Sequence, residues 1–202
     1  MSRIGSKEIK IPNGVEVHID NIKNIVKISG QYGTICVNFP KSIVCNVDNN
    51  TFFVKRSSET YDKKEKKARE MHGTIRAIIN NAMIGVSSLF KKELELIGSG
   101  YRVEKNGKNL TLFVGFSHPI IVQPPEGVKM ECQNNKIIIT GIEKQLVGDE
   151  AAKIRKIRVP NLYTGNGIRY VDEKIIFRKR KGTDTSSSGS STSGKNVKKA
   201  KK

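Results

Sequence analysis

Apolar and polar residues alternate with a period of two along the first 55 residues, which is typical of β-strands buried on one face. Val15, Val17 and Ile19 share one face of such a strand. In the next strand Val26 and Ile28 take this role, or Ile25 if the register shifts by one residue. The pattern predicts antiparallel strands, connected by turns that contain glycine or asparagine, at residues 15–19, 25–28, 35–37, 43–47 and 51–55.

After residue 57 the apolar spacing changes to that of an amphipathic helix. Ser57 or Ser58 can cap its first turn, and Gly85 is expected to end it. The predicted apolar stripe consists of Ala68, Met71, Ile75, Ile78, Ile79 and Ala82. We expect this stripe to pack in the core and not to form a binding surface.

The second half of the chain repeats this order of strands followed by a helix. Strands are predicted at residues 94–97, 101–104, 110–114, 120–122, 128–132 and 136–140, and a helix at residues 143–157. The closest internal match aligns residues 47–54 (VDNNTFFV) with residues 132–139 (CQNNKIII). A duplication explains this match, and chance similarity of two hairpin turns is the alternative.

The predicted fold class is α+β, with two similar domains that each contain an antiparallel sheet packed against one helix. The expected domains are residues 1–86 and residues 87–181. Residues 182–202 are rich in Ser, Thr, Gly and Lys, a composition that cannot bury a core. This segment is predicted to be a flexible basic C-terminal arm.

The chain carries a net charge of +18, and its sequence pI is about 9.9. Residues 1–177 alone hold 28 Lys and Arg against 18 Asp and Glu, so the predicted domains share this basic character. A polyanionic partner is expected, for which RNA, DNA and an anionic membrane are candidates. Membrane insertion is not expected, because no apolar run approaches the roughly 18 residues of a spanning helix.

The basic residues concentrate in the segment 151–181, which holds ten Lys and Arg against Asp172 and Glu173. Its first part has a helical pattern that projects four cations from the exposed side: Lys153, Arg155, Lys156 and Arg158. Pro160 then ends the helix, and a loop follows that contains Tyr163, Gly165, Gly167, Arg169 and Tyr170. Residues 174–177 resemble a strand, which leads into the run Arg178, Lys179, Arg180 and Lys181.

These residue types suit nucleic-acid binding. Glycines allow close backbone approach, arginine binds phosphate through a planar fork, and tyrosine can stack on a base or sugar. We therefore interpret the segment as a nucleic-acid-binding edge. An ordinary solvated basic face is the alternative.

The sequence offers no constellation for catalysis. His18, His72 and His118 lie in different predicted elements and lack the spacing of a metal site. Neither a phosphate-binding P-loop nor a G-x-S-x-G elbow is present, and the G-x-G at residues 98–100 precedes a predicted strand instead of a helix. We expect no catalytic residues, no metal and no cofactor.

Several further motifs occur in order along the chain. They comprise the N-terminal MSRIG, residues 11–15 (IPNGV), 72–76 (HGTIR), 98–102 (GSGYR), 115–119 (GFSHP), 144–148 (KQLVG), 151–155 (AAKIR) and 163–170 (YTGNGIRY). Taken together, these motifs resemble the ribosomal protein L6 family of the large subunit, bacterial and organellar type. The last of these resembles the C-terminal signature of that family. The similarity covers about residues 1–178.

The resemblance implies a structural protein of the ribosome with a duplicated α+β fold and no enzymatic activity. It implies that the second domain binds large-subunit rRNA near the sarcin-ricin loop, with neighbouring ribosomal proteins and translation factors close by. A protein-interaction module that recruits translation factors through the first domain is the alternative.

Lys, Ile and Asn together form about a third of the chain, a bias typical of an AT-rich genome. The expected location is therefore the ribosome of an organelle (mitochondrion or plastid) or of an AT-rich bacterium's cytoplasm.

Carried over by motif, the RNA-facing residues are Arg102, Ser117, His118, Lys153, Arg155, Lys156, Arg158, Tyr163, Gly165, Gly167, Arg169, Tyr170, Arg178, Lys179, Arg180 and Lys181. The chain departs from the family pattern at four positions. Asn161 and Leu162 replace a Glu-Pro pair, and Thr164 and Asn166 replace lysines. Two phosphate contacts that the family pattern implies are therefore not expected from these positions, and Lys153, Lys156 or Arg178 to Lys181 are the candidates to replace them. Replacing Arg169 by alanine is expected to weaken RNA binding by roughly 1.5 to 3 kcal/mol.

Overall fold

The computed structural model describes residues 3–48, 50–56 and 65–178, with residues 65–68 described by their backbone alone. Three expectations fall on residues outside these ranges. They concern the helix cap at Ser57 or Ser58, the cations Lys179, Arg180 and Lys181, and the arm at residues 182–202.

In the first half of the chain, the described residues form six short strands and one long helix. The strands are β1 (Ile9–Lys10), β2 (Glu16–Asp20), β3 (Ile25–Gly30), β4 (Gly33–Asn38), β5 (Ile43–Asp48) and β6 (Thr51–Arg56), and the helix is α1 (Glu65–Ser87). They form two antiparallel sheets with the strand orders β1-β6-β5 and β2-β3-β4. The sequence predicted one sheet here, and the structure divides its strands between two.

The strand alternation places one face of each sheet in a first core. Val26 and Ile28 are fully buried, which settles the register of β3 against the alternative with Ile25 inward. From α1, Ile75 and Ile79 pack into the same core. Together they bury the first half around one continuous apolar interior.

Two details of α1 differ from the sequence prediction. Ile78 is 43% exposed, because it lies at the edge of the stripe that Ile75 and Ile79 centre on. The helix also continues past Gly85 to Ser87. Gly85 packs against the backbone carbonyl of Ile142, and a side chain at this position would block this contact between the two halves. The contact, and not the end of the helix, is therefore the reason for glycine here.

The second half follows the same plan with one additional strand. Its elements are β7 (Phe90–Ile97), β8 (Arg102–Asn106), β9 (Asn109–Phe113), β10 (Ile120–Val122), β11 (Val128–Gln133), β12 (Lys136–Gly141), α2 (Lys144–Ile157) and β13 (Gly167–Tyr170). Two antiparallel sheets result, in the orders β10-β9-β8 and β11-β12-β7-β13. A second core forms between them and α2, with Leu94, Leu112, Ile139 and Ile154 fully buried. The fold is therefore α+β with two similar halves, which confirms the predicted class.

The aligned hairpins of the two halves have the same register. Val47 lies opposite Phe52 across the pair β5 and β6, and Cys132 lies opposite Ile137 across β11 and β12. Each turn contains an asparagine with positive φ, at Asn50 (67°) and Asn134 (53°). Asparagine tolerates this conformation better than most residues, so an asparagine suits the turn of each hairpin.

The sequence misplaced the last strand. Residues 167–170 were assigned to a loop, but they form β13, which pairs with β7 at the edge of the four-stranded sheet. Residues 174–177 were expected to form a strand, and they adopt no regular structure. Ile176 is 85% exposed, because the edge position that could bury it is taken by β13. In addition, none of the helices in the described ranges is long and apolar enough to cross a membrane.

Candidate nucleic-acid interface

Helix α2 presents a basic side to the solvent. Val147, Ala151 and Ile154 are buried at helical spacing, so Lys153 and Lys156 project outward. Lys153 donates to the carboxylate of Glu150 one turn earlier, which raises the pKa of the lysine. Lys156 makes no ion pair with any residue in the described ranges and remains open to an anion.

Arg155 is bound by a carboxylate within the protein. Its Nε donates to Glu173 Oε2 at 2.9 Å and its Nη2 donates to Glu173 Oε1. The hydrogen bond from Arg155 is the main reason that the pKa of Glu173 lies below its usual value, and a hydrogen bond from the Tyr170 backbone N–H adds to it. The Arg155 guanidinium also lies 5.9 Å from the centre of the Tyr170 ring. Arg155 and Tyr170 thus form one cluster against the second core.

Arg169 is also paired, on the other face of the sheet. It lies directly opposite Glu95 in the pairing of β13 with β7, and its Nη2 donates to Glu95 Oε2 at 3.1 Å. Successive residues of a strand point to opposite faces, and the neighbours Ile168 and Tyr170 pack on the second core. Arg169 therefore lies on the face opposite α2, and the sheet separates it from Arg155.

A compact loop connects α2 to β13. The Asn161 N–H donates to the Asn166 carbonyl at 2.9 Å, and the Gly165 N–H donates to the Asn161 carbonyl at 2.8 Å. The Asn161 side-chain Oδ1 accepts a hydrogen bond from the Tyr163 N–H at 2.8 Å. Because Asn161 closes the loop at three points, Tyr163 is held at the surface with 54% of its area exposed.

The two glycines of this loop are buried and contact the chain itself. Gly167 has a φ of +153°, and a Cβ there would lie 2.5 Å from Pro160 Cα. A Cβ on Gly165 would lie 2.8 Å from the Phe177 ring. The close backbone approach expected at both glycines therefore occurs within the protein, between the end of α2, the loop and the C-terminal segment.

An open groove of about 510 Å³ lies between the end of α2, the loop and the turn before β8. It is lined by Tyr101, Ile157, Arg158, Val159, Asn161, Thr164 and Asn166, which we call the α2 groove. Gly98 and Gly115 both lie against the Tyr101 ring, so two glycine turns adjoin it. The structure thus brings together three segments that the resemblance assigned to RNA.

Two arginines in or next to the lining of the α2 groove lie against aromatic rings. The Arg158 guanidinium lies 5.2 Å from the centre of the Phe116 ring, and that ring stacks on His118 with 6.4 Å between centroids. Arg102 lies 4.3 Å from the centre of the Phe113 ring and also pairs with Glu104. Such arrangements of cation and aromatic ring are common where proteins bind single-stranded nucleic acid.

The predicted residues thus fall into distinct groups. Arg158 lines the α2 groove, and Ser117, His118 and Tyr163 are exposed in the segments that adjoin it. Arg178 is exposed beside the loop, because its N–H donates to the Leu162 carbonyl at 3.0 Å. By contrast, Arg155 and Arg169 are engaged by carboxylates, Tyr170 is half-buried, and Gly165 and Gly167 are buried.

Two aromatic residues of this surface were not named as individual site residues, although Tyr101 lies in the turn 98–102 that the resemblance places on the RNA-facing side. Tyr101 lines the α2 groove, and Phe116 is 41% exposed beside Arg158. Both occur next to glycine turns in the sequence, which is the signal that could have identified them. Within the described residues, no group of three or more His, Cys, Asp or Glu side chains is placed to hold a metal ion.

Comparisons with known proteins give one consistent family. The family described as Ribosomal protein L6 matches twice, over residues 11–88 and 97–171, one match in each half. The chain is 46% identical over 180 residues to the large ribosomal subunit protein uL6 of Syntrophomonas wolfei, covering 89% of this chain and 96% of that protein. It is 44% identical to uL6 of Clostridioides difficile, covering 90% and 97%, and 42% identical to uL6 of Thermosipho melanesiensis, covering 90% and 99%. These relatives are bacterial, so they lend no support to an organellar ribosome.

Proposed function

The chain belongs to the ribosomal protein L6 family and is a structural component of the large ribosomal subunit, and we propose that it binds large-subunit rRNA near the sarcin-ricin loop. Family membership makes it a structural protein of the ribosome and not an enzyme. Its partners are accordingly rRNA and other ribosomal proteins. The binding surface that we propose consists of the α2 groove, which includes Arg158, together with Lys156 and Arg178.

The observation that carries this proposal is the contrast between paired and open cations. Arg155 and Arg169 are each engaged by a carboxylate. Lys156 and Arg178 make no ion pair with described residues. Arg158 likewise has no carboxylate partner among them, and its guanidinium contacts the Phe116 ring. Arg158 lines the α2 groove, and Arg178 adjoins its loop through the hydrogen bond from its N–H to the Leu162 carbonyl, whereas Arg155 and Arg169 do not line the groove. A phosphate backbone would therefore be drawn to the groove.

The role of this surface is to neutralise phosphates and to hold an RNA junction in one geometry. Phosphate neutralisation releases counterions, so affinity falls steeply with salt. Contacts to roughly six to ten phosphates would lower the affinity by about 10³ to 10⁵ between roughly 50 and 200 mM salt, if the behaviour of duplex DNA transfers. A nearly flat salt response would contradict the proposal.

The test compares two triple variants with equal charge removal. The first is Lys156→Ala, Arg158→Ala and Arg178→Ala, at the proposed surface. The second is Lys23→Ala, Lys27→Ala and Lys55→Ala, at exposed lysines of the first half. Affinity for an rRNA fragment that contains the sarcin-ricin loop is measured by filter binding at several salt concentrations. The first variant should bind more weakly with a shallower salt dependence, and the second should bind like the wild type. Equal losses in both variants would show that only net charge acts.

A second candidate is recruitment of translation factors through the first half. The observation that favours it is a partly apolar groove of about 330 Å³ between the halves, where Ile78 is 43% exposed near Ile35 and Val37. Purified translation factors are tested for binding to the full chain and to an Ile78→Asp variant. Loss of binding in that variant would support this candidate, and binding equal to that of the wild type would remove it.

We also propose the domain boundaries, residues 1–86 and residues 87–181. The first core draws its buried residues from positions 9–86 and the second core from positions 94–168. Apart from cleavage in the arm predicted at residues 182–202, limited proteolysis should then cut first near residues 87–89. Earlier cleavage inside either core would contradict these boundaries.

A further inference from the structure

We infer that the α2 groove binds one unpaired nucleotide of the RNA and not only its phosphate backbone. This inference rests on the proposed function, because it assigns a ligand to the same surface. It begins from the chemical groups that line the groove, which differ from those of a surface that binds phosphate alone.

The α2 groove has a single cation. Arg158 is the only charged residue among the seven that line it, and the others are polar, aromatic or aliphatic. A surface that follows a phosphate backbone presents a row of Lys and Arg, since each phosphate carries a full charge. One cation is enough for one phosphate. The remaining groups must therefore suit the uncharged part of a nucleotide.

Those groups can form hydrogen bonds that the protein leaves open. Within the described part of the chain, neither the Tyr101 hydroxyl, the Thr164 hydroxyl nor the Asn166 side-chain amide makes a hydrogen bond. Asn161 uses its Oδ1 to accept from Tyr163, and its amide nitrogen donates to no described residue. Asparagine offers both donors and an acceptor, which match the edge of a base. Four open hydrogen-bonding groups thus line one groove.

The aromatic and aliphatic lining supplies the complementary contact. Tyr101 forms one side of the groove, and Ile157 and Val159 add apolar surface. Bases that have left the helical stack pack on aromatic side chains in this way, whereas bases in a duplex have no free face to offer. A groove with an aromatic wall, polar groups and one cation therefore fits an unpaired nucleotide. Arg158 would bind its phosphate, and Tyr101 with the asparagines would contact its base.

This chemistry depends on two positions at which the chain departs from the family pattern. The resemblance predicts lysines where Thr164 and Asn166 stand. With lysines there, the groove would hold three cations and would suit several phosphates. Thr164 and Asn166 are both exposed, so neither is needed for packing. The two substitutions make this groove neutral apart from Arg158.

The experiment uses the full chain and two RNA hairpins of equal length, one fully paired and one with a single-nucleotide bulge. The wild type should bind the bulged hairpin about tenfold more tightly, as expected for stacking of one base on an aromatic ring. The variant Thr164→Ala with Asn166→Ala should reduce this preference severalfold.

A second variant, Thr164→Lys with Asn166→Lys, gives the opposite result. It should bind the paired hairpin more tightly, with a salt dependence steeper by about one to two units in the logarithmic slope, and it should lose the preference for the bulge. Because both positions are exposed, neither variant is expected to disturb folding, and circular dichroism checks this.

Failure of the inference and failure of the proposed function give different results. Equal, salt-dependent binding of both hairpins by the wild type would overturn the inference alone. A preference for the bulge that survives Thr164→Ala with Asn166→Ala would also overturn it. Absence of binding to either hairpin and to rRNA fragments would overturn the proposed function together with the inference.

Discussion

Arg169 lies directly across from Glu95 in the pairing of β13 with β7, and its guanidinium donates to the Glu95 carboxylate at 3.1 Å. The sequence suggested that Arg169 binds phosphate, because it stands in a basic segment. The structure gives this arginine a partner 74 residues away, on the face opposite α2. Its charge is therefore largely compensated before any RNA arrives.

We accordingly expect Arg169→Ala to affect folding as well as binding. Loss of the partly buried pair should lower the free energy of unfolding by about 1 kcal/mol. The loss of RNA affinity should be smaller than the roughly 1.5 to 3 kcal/mol expected for an arginine that binds phosphate directly. Chemical denaturation and filter binding measure the two effects. A full loss of RNA affinity at unchanged stability would place Arg169 at the RNA after all.

Arg158 should be the more important arginine for RNA. It is exposed, lines the α2 groove and has no carboxylate partner among the described residues. Arg158→Ala is expected to weaken rRNA binding by roughly 1.5 to 3 kcal/mol, because it removes a charged hydrogen-bond donor, while stability changes little. Arg158→Lys should restore part of the affinity, since lysine keeps the charge but not the fork. Wild-type affinity for Arg158→Ala would contradict the placement of the groove.

The pair of Arg155 and Glu173 should appear in the pH dependence of stability. Its hydrogen bonds lower the pKa of Glu173 from the ordinary value of 4.5. A lowered pKa stabilises the fold above pH 4.5, and this contribution is lost as pH falls through the lower pKa of the folded state. Glu173→Gln should therefore reduce stability by about 1 kcal/mol at neutral pH. Urea denaturation at several pH values should show that the difference in unfolding free energy between this variant and the wild type becomes smaller as the pH falls below 4.5. A difference that is constant with pH would exclude an ionic contribution.

Gly167 and Gly148 provide a matched pair of glycine substitutions. Gly167→Ala places a Cβ against the Pro160 backbone at a positive φ, so stability should fall by about 1 to 3 kcal/mol. Gly148 lies within α2 with open space around its Cα, and Gly148→Ala should raise stability by up to about 1 kcal/mol. Thermal denaturation of both variants measures these changes in stability. A stable Gly167→Ala variant would show that the loop can move away from β13.

The local parts of the fold could be predicted from the sequence. Alternation set the faces of β2 to β4, because each strand buries one side against a core. The match between residues 47–54 and 132–139 identified the two hairpins, which have the same register. In these segments the apolar alternation and the turn residues involve positions that are close together in the sequence. The local sequence is therefore enough to predict the strand faces and the hairpins.

The remaining features depend on residues that are distant in the chain. The pattern of residues 174–177 is apolar enough for a strand, yet β13 already occupies the sheet edge, and Ile176 stays exposed. The carboxylate partners of Arg155 and Arg169 lie 18 and 74 residues away. The α2 groove likewise joins Tyr101 to a loop some 60 residues later. Only the assembled sheet reveals which cations are free.

The most direct test of the central claim is selective capture of rRNA. A pool of large-subunit rRNA fragments is presented to the full chain and to the variant Lys156→Ala, Arg158→Ala and Arg178→Ala, and the retained fragments are identified. The full chain should retain fragments from the sarcin-ricin region selectively, and the variant should lose this selectivity. Equal retention of all fragments by the full chain, or unchanged selectivity in the variant, would contradict the assignment of rRNA binding to the α2 groove.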